Sequence, residues 1–262
     1  MRKYQKSLTN LFSYAILLFF LTTCVSLSQD DITEDFDESL DILSRTGEKI
    51  TVDMLSLKNF RCLETITIDE YDKKNKISRQ QLCSSVYEVT RKIKPKTTEH
   101  IGFTESRTSR SADSQLPDLS GFPVLERPFT GEILKTFTIE HRISNDYRKL
   151  REETMNGRKC LVFGFETVKE ISTLSILLQG TAISLRQQGM LWVDEKSEGV
   201  VRLLGKLKKL PKGMSSYEYQ IEFSPRRLFG RWVELPELIE IKTESKTKKT
   251  QIVQRYSDFR EM

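Results

Sequence analysis

The segment Tyr217-Glu218-Tyr219-Gln220-Ile221-Glu222-Phe223 places apolar residues at every odd position and polar residues at every even one. A period of two is the mark of a strand with one dry and one wet face. Segments of strand character recur at 181–187, 189–195, 199–209, 216–224, 231–243 and 249–260, and turn-forming stretches at 195–199, 211–213, 225–230 and 244–249 separate most of them. With no long helix between them, these predict an antiparallel meander. Asn156-Gly157, between the strand-like 147–154 and 158–168, is the dipeptide that adopts the positive φ values of a tight hairpin.

Upstream, 58–71 and 79–93 read as two strands joined by the polar stretch 72–76. Folding that hairpin about its middle sets Cys62 close to Cys83, so a cross-strand disulfide is expected, with two buried thiols as the alternative. Cys160 reads as a small buried hydrophobe. Between 33 and 57 the apolar spacing is helical and interrupted at Gly47, which predicts two short helices, the first capped by Thr33. The stretch 94–128 holds four of the seven prolines and is read as a polar insertion or long loop. A helix is expected over 130–142, and 171–178 is ambiguous.

Residues 1–28 have a cationic start, an apolar run from Leu11 to Leu21 and then small polar residues. That is the layout of a secretory signal, with an apolar run too short to span a bilayer. Ser26-Leu27-Ser28 suits cleavage near Ser28, giving a periplasmic or secreted chain; Leu21-Thr22-Thr23-Cys24 is the alternative, a lipoprotein box with lipidation at Cys24. The first 28 residues carry three bases and no acid, leaving 39 basic against 37 acidic residues, so charge gives no case for nucleic acid. The organisation read from this is a signal over 1–28, an acidic helical segment over 29–57 and a single domain over 58–262.

Catalytic patterns are missing. The two histidines, His100 and His141, do not assemble a triad or a multi-histidine metal site. Gly199 to Lys206 departs from a phosphate loop in glycine spacing and in Leu207, and Ser245 to Lys248 is a lysine-rich turn. No catalytic residue, metal or cofactor is expected. Lysines 206, 208, 209, 212, 242, 246, 248 and 249 either form a basic patch suited to peripheral membrane contact or protect hairpin ends from edge pairing.

What remains is an apolar sheet face: Leu161, Phe163 and Phe165 on one strand, Tyr217, Tyr219, Ile221 and Phe223 on another, Ile239 and Ile241 on a third, with Trp192 opening a fourth. These are the candidate lining of a lipid cavity if helices cover the face only in part, and a plain core if they cover it fully. Gly189-Met190-Leu191-Trp192-Val193-Asp194, Val200-Val201-Arg202-Leu203, Leu235-Pro236 and Arg255 to Arg260 resemble the C-terminal half of the LolA/LolB-like group of exported envelope proteins, and Asn59 to Ile66 is similar to a first strand found in uncharacterised relatives. The resemblance covers about 49–260. It implies a mainly β fold with a few helices (α+β), a curved antiparallel sheet forming a half-open barrel over helices. By the same resemblance the interior receives an acyl chain, as carrier or sensor, and the partner is a lipid or a lipid-modified protein. The second expectation is a structural or protein-interaction module with a filled core. Neither ligand identity nor oligomeric state is legible.

Overall fold

The computed structural model describes residues 29–93, 101–110, 119, 122–125, 127–168, 175–178 and 181–262. The signal, Cys24 and the cleavage site near Ser28 lie outside the described residues, as does most of 94–128 apart from the pieces named below. The chain divides into two compact units, 1–43 and 44–262. What is described of the first unit is helical, the opening part of α1 (Gln29–Ser56). The second unit holds the rest of α1 and a ten-stranded antiparallel sheet.

Its strands are β1 (Phe60–Tyr71), β2 (Ile77–Ile93), β3 (Ile101–Ser109), β4 (Asn145–Met155), β5 (Arg158–Thr167), β8 (Gln187–Asp194), β9 (Val200–Leu207), β10 (Met214–Leu228), β11 (Arg231–Ser245) and β12 (Lys249–Glu261). Their order across the sheet is β3-β2-β1-β12-β11-β10-β9-β8-β5-β4, with β3 and β4 as unjoined edges, so the sheet does not close into a barrel. Among the described residues β6 (Ser175–Leu178) and β7 (Thr181–Ser184) pair only with each other. A short helix α2 (Glu132–Lys135) and a 3-10 turn (Arg142–Ser144) complete the described elements. The mainly β fold with few helices and the meander are as the alternation and turn residues predict, and the Asn156-Gly157 hairpin has φ of 50° and 76° at its two corners.

Four local expectations are corrected. The two helices are one, because α1 runs through Gly47 without a break; a side chain there would stand 3.2 Å from the Phe137 carbonyl oxygen, so the glycine lets the helix lie close against 137–142. That helix begins at Gln29, ahead of Thr33. Part of the polar stretch 94–128 is strand β3, paired with β2 along its whole length. The helix expected over 130–142 stops after one turn: the Thr136 and Thr138 hydroxyls donate to the carbonyls of Ile133 and Lys135, each at 2.7 Å, taking acceptors that a continuing helix would use. Its apolar residues still reach the core, with Ile133, Leu134 and Phe137 all buried.

The disulfide is also corrected. Cys62 lies opposite Tyr87 and Cys83 opposite Ile66, so both cysteines share a face but stand four ladder positions apart. At about 3.3 Å per residue that separates them by about 13 Å, beyond the reach of a bridge. All three described cysteines, Cys62, Cys83 and Cys160, are free thiols. The hairpin turns at 72–76, where the Asp72 carboxylate accepts the amides of Lys74 and Lys76 at 2.8 and 3.0 Å; the ladder is centred on that turn, between residues 74 and 75, which sets Cys62 opposite Tyr87 and not Cys83.

Candidate functional site

Ladder register assigns each candidate residue to a face. Across β5, β8, β9, β10, β11 and β12, one row runs Phe163–Leu191–Leu203–Ile221–Ile239–Gln254. The next row pairs Phe165 with Gly189, Gly189 with Gly205, Gly205 with Tyr219 and Tyr219 with Ile241. The candidates Leu161, Phe163, Phe165, Tyr217, Tyr219, Ile221, Phe223, Ile239 and Ile241 thus share the inner face, and all are buried. Trp192 does not. It pairs with Val162 and Arg202 on the reverse face, where Met155, Cys160, Val162 and Val201 form a second small core with it. There the Trp192 indole N–H donates to Glu153 at 3.2 Å, and the Arg202 guanidinium lies 5.7 Å from its ring while pairing with Glu222 at 2.7 Å. The alternation Leu161/Phe163/Phe165 carries no information about Trp192, because the sheet buries both faces of β5 and β8.

Much of the inner face is covered by the chain itself. Phe137 meets Phe165 edge-on at 4.9 Å, and the Tyr217 hydroxyl donates to the Pro123 carbonyl at 3.4 Å. Gly205 gives the Tyr219 ring its place, since a side chain there would stand 2.3 Å from the phenolic oxygen. The Tyr219 hydroxyl then donates to Gln187, whose amide donates to Thr136 at 2.7 Å.

At one edge the covering is incomplete. Ile50 and Met54 from the end of α1 and Leu57 just beyond it face Phe129 and Leu134 from the connecting segment and Phe223, Val233 and Leu235 from the sheet, leaving a mainly apolar slot of about 40 Å³. Ligand pockets are typically about 300–1,000 Å³, so the slot as it stands admits no acyl chain. Its roof is tethered by ion pairs on either side: Arg45 to Glu198 at 2.5 Å, and Asp53 to Arg231 at 2.6 Å with Lys49 3.2 Å from the same carboxylate. Of the candidate residues only Phe223 lines the slot. Sequence reasoning missed its helix side, although the spacing Ile50, Met54, Leu57 marks one face of a helix.

The other end of the inner face is polar. Glu64 on β1 is fully buried and accepts from Arg107 Nε at 2.6 Å, Arg107 Nη2 at 2.9 Å, Ser85 at 2.8 Å and Tyr256 at 2.9 Å. Glu105 on β3 accepts from the Tyr87 hydroxyl at 2.9 Å, the Thr130 hydroxyl at 2.5 Å and amide at 2.8 Å, and the Phe129 amide at 3.3 Å. Burial raises the Glu105 carboxyl above its ordinary range against the lowering pull of these donors. Burial, then Glu64 and Glu105, push the Cys62 thiol up, so it is not an activated nucleophile. Both carboxylates are engaged by donors from the protein, which makes this network a fastening for the Phe129 segment. Among the described residues no group of three or more His, Cys, Asp and Glu side chains is placed to hold a metal ion.

The residues of the motif resemblance serve the fold. Asp194 accepts from Arg158 at 2.6 Å and from the Lys196 amide at 2.9 Å, and Arg158 also reaches Glu234 at 2.7 Å. Leu235 and Pro236 wall the slot.

No family model matches the chain. No curated protein matches it either. Solved structures do. A DUF1329 family protein from Desulfovibrio piger is 14% identical with a TM-score of 0.41, the match covering 86% of this chain and 92% of that one. A domain named for outer membrane lipoprotein sorting, from Vibrio parahaemolyticus, is 11% identical with a TM-score of 0.41 and covers 83% of this chain and 92% of that one. The MucA/MucB complex of Pseudomonas aeruginosa matches at 10% identity and a TM-score of 0.23, covering 84% of this chain and 98% of that one.

Proposed function

We propose that this chain is an exported envelope protein that takes one acyl chain, from a lipid or a lipid-modified protein, against its apolar inner face, as carrier or sensor. The supporting observation is the slot: an apolar opening at the edge of a dry sheet face, roofed by the end of a helix that partly exposed ion pairs tether. The half-exposed Arg45–Glu198 pair is worth about 0–1 kcal/mol, so lifting the helix end costs mainly the pairs of the buried Asp53 and the apolar contacts of Ile50, Met54 and Leu57, and an entering acyl chain replaces those contacts. The path then continues past Phe223 to Ile221 and Ile239. No catalytic step is proposed. Export rests on the three-part layout of residues 1–28.

The test is uptake of a fluorescent fatty acid by the purified, folded protein. Uptake should occur at micromolar concentration, rise when Asp53→Asn releases one tether, and disappear with Phe223→Glu. A well-folded wild-type protein that takes up no probe at tens of micromolar overturns the proposal. That result would favour the second function, a protein-interaction module, which the Phe137 and Pro123 contacts on the same face support.

A further inference from the structure

We infer that one end of the sheet is a docking surface for an anionic lipid bilayer. Register puts three turns at that end: Tyr71 pairs with Lys249, Glu244 also pairs with Lys249, and Met214 pairs with Ser245. The turns at 72–76, 208–213 and 245–248 therefore project from the same side of the ladder. Together they hold eight lysines and a single acid, Asp72. That acid is turned onto the backbone amides of Lys74 and Lys76.

Three of the lysines are engaged: Lys208 with Glu166, Lys248 with Glu70 at 2.5 Å, and Lys209 with a partner of its own. Lys73, Lys74, Lys76, Lys212 and Lys246 are exposed and form no ion pair with a described residue. The far end of the sheet is unlike this: the turns at 156–157, 195–199 and 229–230 hold Lys196 against Glu195 and Glu198. Because residues 29–262 are nearly balanced in charge, the positive potential belongs to this end and not to the molecule as a whole.

Two further features select a bilayer over a soluble polyanion. Ile77, following Lys76 out of the first turn, is 53% exposed, so an apolar side chain stands beside the cations. Between the first and third of these turns lies an open groove of about 310 Å³ walled by Tyr71, Asn75, Lys242, Glu244 and Lys249, with Lys249 paired to Glu244 at 3.1 Å and Lys242 left to face a phosphate-bearing headgroup for which the groove has room. Basic residues with an exposed apolar neighbour are the chemistry of a membrane interface, where each lysine near an anionic surface strengthens binding about fivefold. The surface stands apart from the slot under α1 and does not depend on it.

The test is co-sedimentation of the full chain with vesicles of phosphatidylcholine alone or with 30% phosphatidylglycerol, at about 50 and about 150 mM salt. Neutral vesicles measure what the apolar run 11–21 contributes, and the triple variant of Lys73, Lys74 and Lys76, which keeps Arg2, Lys3 and Lys6, measures what the cationic start contributes. Added binding to the anionic vesicles should weaken at the higher salt, fall at least tenfold with Lys73→Glu/Lys74→Glu/Lys76→Glu, fall several-fold with Ile77→Asp, and be unchanged by Lys196→Glu at the far end. Equal binding to both vesicle types overturns the inference, as does a triple variant that binds like wild type. So does capture on heparin that Ile77→Asp leaves intact while anionic vesicles fail to compete, which would mark a site for a soluble polyanion.

Discussion

The two halves of the inner sheet face are built from opposite chemistry. Around β5 and β8 to β11 the face is made of Phe163, Leu191, Leu203, Ile221 and Ile239, packed without a charge. Around β1 to β3 and β12 it carries the buried Glu64, the half-buried Glu105 and Arg107, two tyrosines and a glutamine, with Phe129 packed on Phe60, Tyr87 and Tyr256. The apolar half tolerates slack, because a shifted methyl loses contacts in small increments. The polar half does not, since each of its groups depends on a particular partner. Only the apolar half can exchange its cover for another apolar group, and for that reason the proposed acyl site is placed there.

Removing one partner from the polar half should have the largest effect. Arg107→Met leaves the Glu64 carboxylate buried without its cation, a loss of about 3–5 kcal/mol measured by urea unfolding. The double variant Glu64→Leu/Arg107→Met should recover part of it, since it removes the unpaired charge but leaves the Ser85 and Tyr256 hydroxyls without their acceptor. If the double variant is as unstable as the single, the network contributes net stability and the contrast between the halves is wrong. In the apolar half, Ile239→Val should cost about 0.5–1.5 kcal/mol. A cost matching that of Arg107→Met would show the apolar half to be as exacting as the polar one.

The same contrast explains what the sequence disclosed. The strands with clean alternation, β10 above all, were legible because one face is dry and the other wet. Turn residues placed the hairpins for the same local reason. The register of β1 against β2 follows from the turn at 72–76, which the polar stretch marks; setting Cys62 opposite Cys83 ran against that turn, about which Cys62 meets Tyr87 and Cys83 meets Ile66. Strand β3 was missed because Ile101–Ser109 has few apolar residues; its Glu105 and Arg107 enter the core only as partners of Tyr87, Thr130 and Glu64, a pairing that no local pattern announces. Trp192 was put on the wrong face because β5 and β8 are buried on both.

Acid titration sharpens the comparison with smaller effects of opposite sign. Burial raises the Glu105 carboxyl, so its contribution is full below the ordinary carboxylate range and is lost as pH rises through the raised value. For Asp194 burial opposes the shift, but the hydrogen bond from Arg158 and those from Lys196 and Ser197 hold the carboxyl below its ordinary range; its contribution is present above that range and lost as pH falls through the lowered value. Relative to wild type, Glu105→Gln should therefore grow more destabilising from pH 7 downward, while Asp194→Asn should grow less so. Urea midpoints at three pH values read both slopes, and slopes of the same sign would contradict the assignment.

The smallest effect concerns the thiols. Cys62 is buried on the polar half and Cys160 on the reverse face, whereas Cys83, half-buried on β2 opposite Ile66, is the most accessible of the three. Burial raises the Cys83 and Cys160 thiols as well, so none is a ready thiolate, and access decides the order of reaction. In the folded protein a thiol reagent should label Cys83 first and Cys62 and Cys160 only on unfolding, with peptide mapping to assign the sites. Denaturation without reductant should then expose all three. Finding Cys62 and Cys83 both blocked in the denatured, unreduced protein would mean that the β1–β2 register differs by four residues from the one described, and Glu64 would then no longer lie opposite Ser85.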